Sequence, residues 1–122
     1  MAQAASRTLP RAVRLTGSRQ YRRVFEQAVR SNDTAFTLLA RHNDIGYARL
    51  GLVISRKCAK RAVARNRIKR LVRSSFRECR YELPSVDIVA MCRPVVQGMS
   101  NADIAVSLAT HWNRLSRQCK QS

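Results

Sequence analysis

The stretch that decides the fold is AVARNRIKRLVRSSFRECRYE, residues 62–82. It contains neither Gly nor Pro, and its apolar positions Ile68, Leu71, Val72, Phe76 and Cys79, with Ser75 beside them, recur at the spacing of one helical stripe. At 100° per residue, Asn66, Lys69, Arg70, Arg73, Arg77 and Arg80 fall on the opposite side, with Arg65 and Arg67 at the flanks. The segment therefore predicts a long helix with one oily face and one cationic face.

Working outward, Leu83-Pro84-Ser85 ends that helix, and Val86 to Met91 reads as a strand apolar enough for a central place in a sheet. Ser100 and Asp103 resemble a capping box, with Ile104, Leu108, His111, Trp112 and Leu115 following at helical spacing to about Arg117. Upstream, Tyr47 to Ser55 and Thr34 to Arg41 alternate like strands joined by a short turn, so an antiparallel hairpin is expected. Tyr21, Val24, Phe25, Ala28 and Val29 mark a short helix that Ser18 is placed to cap. Residues 1–15, with Arg7, Arg11 and Arg14 around Pro10, read as a flexible basic arm. Residues 16–118 form one domain and 119–122 a tail. The order α-β-β-α-β-α, with room for one more short strand, gives an α+β fold of two layers with helices packed on one sheet.

Composition narrows the function. The chain has 122 residues, 24 Lys+Arg against 7 Asp+Glu, and a formal charge of +17, yet 45% of it is apolar. This is a folded, strongly basic domain, for which nucleic acid is the first partner to consider and an anionic membrane surface the second. Arg56, Lys57, Lys60, Arg61, Arg65, Arg67, Lys69, Arg70, Arg73, Arg77 and Arg80 face a single acid, Glu78, within 25 residues. An ordinary solvated helix face mixes signs to gain i,i+4 pairs, whereas this one stacks like charges and needs a polyanion. The preference for Arg over Lys suits phosphate forks and RNA surfaces, although genomic base composition can produce the same bias.

Other chemistries find little support. No apolar run is long enough to span a membrane, and the N-terminus lacks the apolar core of a secretory signal, so a cytoplasmic location is expected. Cys58, Cys79, Cys92 and Cys119 form no C-x-x-C pair, and only His42 and His111 are available beside them, so reduced, partly buried thiols are expected rather than structural zinc. The acids show no clustering for a two-metal nuclease, and neither His has an evident orienting partner. No catalytic and no metal-binding residue is assigned to the chain. Phe76 and Trp112 lie on apolar stripes and read as core. Tyr21 and Phe25, one turn apart on an Arg-rich helix, fit either a core or a stacking platform for unpaired nucleotides.

The segment Ala62 to Arg77, with its Arg65-Asn66-Arg67 core followed by Ile68-Lys69-Arg70, Arg73 and Phe76, resembles the signature of the bacterial ribonuclease P protein family. The likeness runs from about Arg14 to Arg117, through Arg14-Leu15, Tyr21 and Val24-Phe25, the strand Gly51 to Lys57, and Val86 to Val89. It implies a mixed sheet with an uncommon left-handed βαβ crossover, which general handedness rules do not anticipate. It also implies an accessory subunit: a catalytic RNA, using Mg²⁺ bound mainly by that RNA, removes the 5′ leader of precursor tRNA, while the protein alone is non-catalytic and needs no protein partner. By the resemblance, Arg56, Lys57, Lys60, Arg61, Arg65, Asn66, Arg67, Lys69, Arg70, Arg73 and Arg77 dock on the catalytic RNA. Tyr21, Phe25, Thr37 and Leu39 line a cleft for the single-stranded leader. Leu39 stands where many relatives carry an aromatic, and Cys58 to Arg61 replace a link that often holds a glycine. The alternatives from other classes are a general RNA chaperone or ribosome-associated protein, a major-groove DNA binder, and a self-sufficient protein nuclease.

Overall fold

A computed structural model of the chain describes residues 9–120. A 3-10 turn at Arg11–Val13 leads into α1 (Gly17–Glu26). Then come β1 (Val29–Asn32), β2 (Phe36–His42), β3 (Arg49–Val53), α2 (Ala62–Cys79), β4 (Val86–Cys92) and α3 (Asn101–Lys120). Short 3-10 turns at Arg80–Glu82 and Pro94–Gly98 flank β4. The sheet order is β1-β2-β4-β3, with β2 antiparallel to β1 and β4, and β3 parallel to β4. The fold is α+β with a mixed four-stranded sheet, and β3-α2-β4 is its βαβ unit.

β4 takes the inner position that its composition demands: Val86, Ile88, Val89 and Ala90 are all fully buried. That insertion separates β2 from β3, so the hairpin expected between them does not form. Asn43 reinforces the outcome. Its backbone N–H donates to Ser85 O, and its amide donates to Asp87 Oδ1 and Tyr47 O, tying the 43–48 turn to the start of β4 rather than to a neighbouring hairpin strand. The real hairpin is β1-β2, in which Val29 pairs with Ala40 and Asn32 with Thr37. β1 is the short strand for which the sequence left room. Val29, expected on the first helix, belongs to it, because α1 stops at Glu26 and Gln27 is already extended. The cap also moves, from the expected Ser18 to Thr16, whose N–H donates to Gln20 Oε1.

One sheet face carries the main core. Phe36, Leu38, Leu50, Ile88 and Ala90 meet Ile68, Val72 and Phe76 of α2 and Ile104, Leu108, Trp112 and Leu115 of α3. Phe76 meets Trp112 edge-on at 5.7 Å, and Trp112 Nε1 donates to Ser75 Oγ at 2.8 Å, so the polar atom of the largest core side chain is satisfied. Ser100 caps α3 by accepting the Asp103 N–H at 3.0 Å. The helix continues through the buried Cys119 to Lys120, beyond the expected end near Arg117 and into the expected tail.

Two further expectations change. Leu9, Val13 and Leu15 are buried, and Leu15 N–H donates to Leu50 O, so residues 9–15 of the expected arm pack along the edge of β3. Residues 1–8 lie outside the described part. The expectation of four reduced thiols also fails, because Cys58 and Cys92 form a disulfide. Parallel β3 and β4 end side by side, which brings the two Cα atoms to 5.9 Å. Cys79 and Cys119 stand outside the disulfide, and burial pushes both thiols up, Cys79 to about 11.

Candidate nucleic-acid interface

α2 lays its apolar stripe on the sheet and turns the opposite side outward, leaving Arg61, Asn66 and Arg70 exposed and Lys69 and Arg73 half-buried. The signature arginines divide into two groups. Arg65 donates to Ala59 O and Lys60 O, at 3.0 and 2.8 Å, and so fastens the link before the helix. Arg67 donates to Met99 O and, with two nitrogens, to Asn101 Oδ1, joining α2 to the start of α3. Among the described residues, the side chains of Arg56, Lys57, Lys60, Arg61, Lys69, Arg70 and Arg73 form no ion pair or hydrogen bond. These unpaired cations are where a polyanion can be held, while Arg65 and Arg67 position the helix that carries them.

The start of α2 adds to this field. No side chain caps it and no acid occupies its first turn, so the positive end of the helix faces a bowl lined by Arg56, Lys57, Lys60, Ala62 and Arg65. Exposed first-turn amides and converging cations together favour phosphate.

The other sheet face is built differently. Leu15 and Val24 cover Leu39 and Val89, with Tyr21 and Met91 at the margin, and this small cluster is all the core that α1 makes. Tyr21 lies against Gly51: a Cβ there would stand 2.7 Å from its ring, and the Tyr21 hydroxyl accepts the Leu52 N–H at 3.2 Å. Glycine is required at position 51 by this close approach. Two residues further along the same face, Thr37, Met91 and Val53 stand in a row across β2, β4 and β3. Arg93 donates to Thr37 Oγ1 at 3.3 Å, and Val53 is exposed. Phe25, one helical turn beyond Tyr21, is 49% exposed.

The four residues expected to line a cleft therefore separate by environment. Phe25 is open to a ligand. Thr37 is nearly covered, at 8% exposure, but belongs to the open row. Tyr21 is wedged on the sheet, and Leu39 lies beneath α1. Met91, Val53 and Arg93 were missed in the sequence, and only the β2-β4-β3 register, which a sequence does not display, could have grouped them with Thr37.

The remaining polar clusters are structural. Ser31 Oγ lies 2.7 Å from His111 Nδ1, and His111 Nε2 lies 3.2 Å from Asp33 Oδ2 but off the hydrogen-bonding line. This has the order of a catalytic relay, yet Ser31 and His111 are buried. Burial pushes the His111 imidazole down, against the pull of Asp33. For Asp33, burial acts upward, but hydrogen bonds from Ser107 and from the Phe36 and Ala35 amides, together with the nearby His111 ring, outweigh it and hold the carboxyl at about 2. The network is a strut between the β1-β2 turn and α3. On the sheet, Asp87 is buried in a two-pronged pair with Arg49, both distances being 2.8 Å. Among the described residues no three or more His, Cys, Asp and Glu side chains gather as a metal site, and no helix is long and apolar enough to cross a membrane.

Comparison with known proteins gives one consistent result. The family model described as Ribonuclease P matches residues 9–116. A ribonuclease P protein component from Thioalkalivibrio sulfidiphilus is 55% identical over 116 residues, covering 95% of this chain and 97% of the relative. That of Methylococcus capsulatus is 45% identical, covering 93% and 88%. Among solved structures, the RNase P protein of Staphylococcus aureus aligns with a TM-score of 0.78 at 26% identity, covering 86% of this chain and 95% of the other. The Thermotoga maritima protein aligns at 0.75 and 29% identity, covering 83% and 96%. Sequence signature, sheet topology and relatives agree: the chain belongs to the ribonuclease P protein component family.

Proposed function

We propose that this chain is the protein subunit of a ribonuclease P holoenzyme, docking on the catalytic RNA through α2 and its preceding link and holding the 5′ leader of precursor tRNA on the α1 face. The observation that carries the reading is the set of unpaired cations along one side of α2 in a chain of this family. Guanidinium and ammonium groups without internal partners break no protein hydrogen bond when they take up phosphate. The basic wedge screens two polyanions from each other. With about six phosphates neutralised, affinity for the catalytic RNA falls with salt at a log–log slope of roughly −5.

On the α1 face, Phe25 stacks an unpaired base, and Thr37, Met91 and Val53 offer a shallow ledge beside it. Tyr21 and Leu39 hold α1 in place. In this reading Mg²⁺ is held mainly by the RNA. The protein contributes docking and positioning in the cytoplasm, without forming or breaking a bond itself.

The test is cleavage of a precursor tRNA by a bacterial ribonuclease P RNA at low Mg²⁺, with and without the protein. Restored cleavage at the mature 5′ end, and none by the protein alone, is expected. Binding to the RNA without rescue would favour a general RNA chaperone, and cleavage by the protein alone would make it a nuclease in its own right.

A further inference from the structure

Beside the α2 face already described, one cleft combines charge with fixed walls. A groove of about 300 Å³ runs along the outer edge of β3, with Arg11 and Arg14 on the wall formed by the segment before α1 and Lys69 and Arg73 on the wall formed by α2. Its floor is apolar, formed by Leu9, Leu15, Leu50 and Leu52 with the Tyr21 ring, and no acidic side chain lines it. Among the described residues, none of the four cationic groups has an ion-pair or hydrogen-bond partner. The first wall is not free to swing. Leu9 and Val13 are buried, Val13 and Arg14 N–H groups close a 3-10 turn onto Pro10 and Arg11, and Arg14 pairs with Leu50 as an isolated bridge.

From this convergence we infer that the groove is a phosphodiester site, in which the segment Leu9–Arg14 and α2 together clamp the backbone of the catalytic RNA and carry it from the α2 face around the β3 edge. The inference rests on the RNA-docking reading above and extends it to residues that reading does not use. Like charges fixed on facing walls repel in the free protein, and a phosphate row between them removes that repulsion. The apolar floor suits the ribose edges between phosphates. Because the walls are preformed, little ordering opposes binding. Lys69 and Arg73 share a surface with Arg70, which favours the catalytic RNA over the leader as the occupant.

The experiment compares the unaltered protein with the Arg11→Ala/Arg14→Ala double variant and with Arg117→Ala, an exposed cation on α3 away from the groove. Affinity for ribonuclease P RNA is measured across a salt series, and affinity of each reconstituted holoenzyme for precursor and mature tRNA is measured alongside. The double variant should bind the RNA about tenfold to a hundredfold more weakly, with the salt slope reduced by roughly 1.4 to 1.8 and an unchanged melting temperature. Arg117→Ala should change the slope by clearly less. Equal effects from Arg117→Ala would overturn the groove by attributing the loss to net charge. Full RNA affinity with weakened precursor binding would overturn the assignment by giving the groove to the leader. No RNA binding by the unaltered protein would overturn the functional reading and the groove together, whereas steep binding that survives the double variant overturns the groove alone.

Discussion

The two faces of the sheet carry different loads. On one, α2 and α3 bury two rows of large side chains, including Phe36, Phe76, Ile68, Ile104, Leu108 and Leu115, each fully covered. On the other, α1 covers only Leu39 and Val89 with Leu15 and Val24, and leaves Phe25, Val53 and Met91 at its margin. The thick face supplies stability. The thin face retains apolar and aromatic surface within reach of a ligand, which a fully packed face could not do. The same division appears among the signature arginines, where Arg65 and Arg67 are used internally and Arg70 and Arg73 are left for a partner.

That contrast breaks most easily on the thick face. Phe76→Ala should cost about 3–5 kcal/mol of unfolding free energy, since it empties a fully buried site beside Trp112. Leu39→Ala, on the thin face, should fall at the low end of the about 2–5 kcal/mol seen for such truncations, because a single short helix can settle onto the gap. Denaturant titration of both variants checks the order, and a larger loss for Leu39→Ala would invert the comparison. A smaller effect is expected from Gly51→Ala. Its Cβ would displace the Tyr21 ring and break the Leu52 N–H bond, costing about 1–3 kcal/mol. Hydrogen exchange should then quicken in α1 while α2 and α3 stay protected. Uniform loss of protection would mean that α1 is not a separate unit.

Much of this architecture was legible in the sequence because it depends on local rules. The 3.6-residue stripe of α2, the apolar run of β4 interrupted by Asp87 and the Ser100 cap each dictate their structure without reference to distant residues. What stayed hidden depends on pairing. Which strand lies next to β2 is decided by the competition for the buried middle of the sheet, and β4, remote in sequence, wins it. β1 has only four residues and no alternation long enough to detect. Leu9 and Val13 look like isolated apolar residues in a basic arm until the bare edge of β3 gives them a place. Cys58 and Cys92 meet only because β3 and β4 run parallel.

The candidate site was legible as a charge pattern, not as a geometry. Helical spacing identifies which cations face outward, so Arg70 and Arg73 were identifiable. It does not reveal that the Arg65 guanidinium turns back onto two carbonyls, or that Arg67 reaches the next helix. For Tyr21 and Phe25 the spacing left core and stacking surface undecided. The structure assigns Tyr21 to the sheet and leaves Phe25 half open.

Phe25 therefore gives the most direct test of the claim that the thin face is a leader-binding surface. The measurement is the affinity of reconstituted holoenzyme for precursor and for mature tRNA, with the unaltered protein and with Phe25→Ala. Loss of one base–aromatic stack of about 1–3 kcal/mol should weaken precursor binding by roughly 5-fold to 150-fold, with mature tRNA binding and melting temperature unchanged. An equal loss for both RNAs, or a precursor affinity that does not move, would contradict the account.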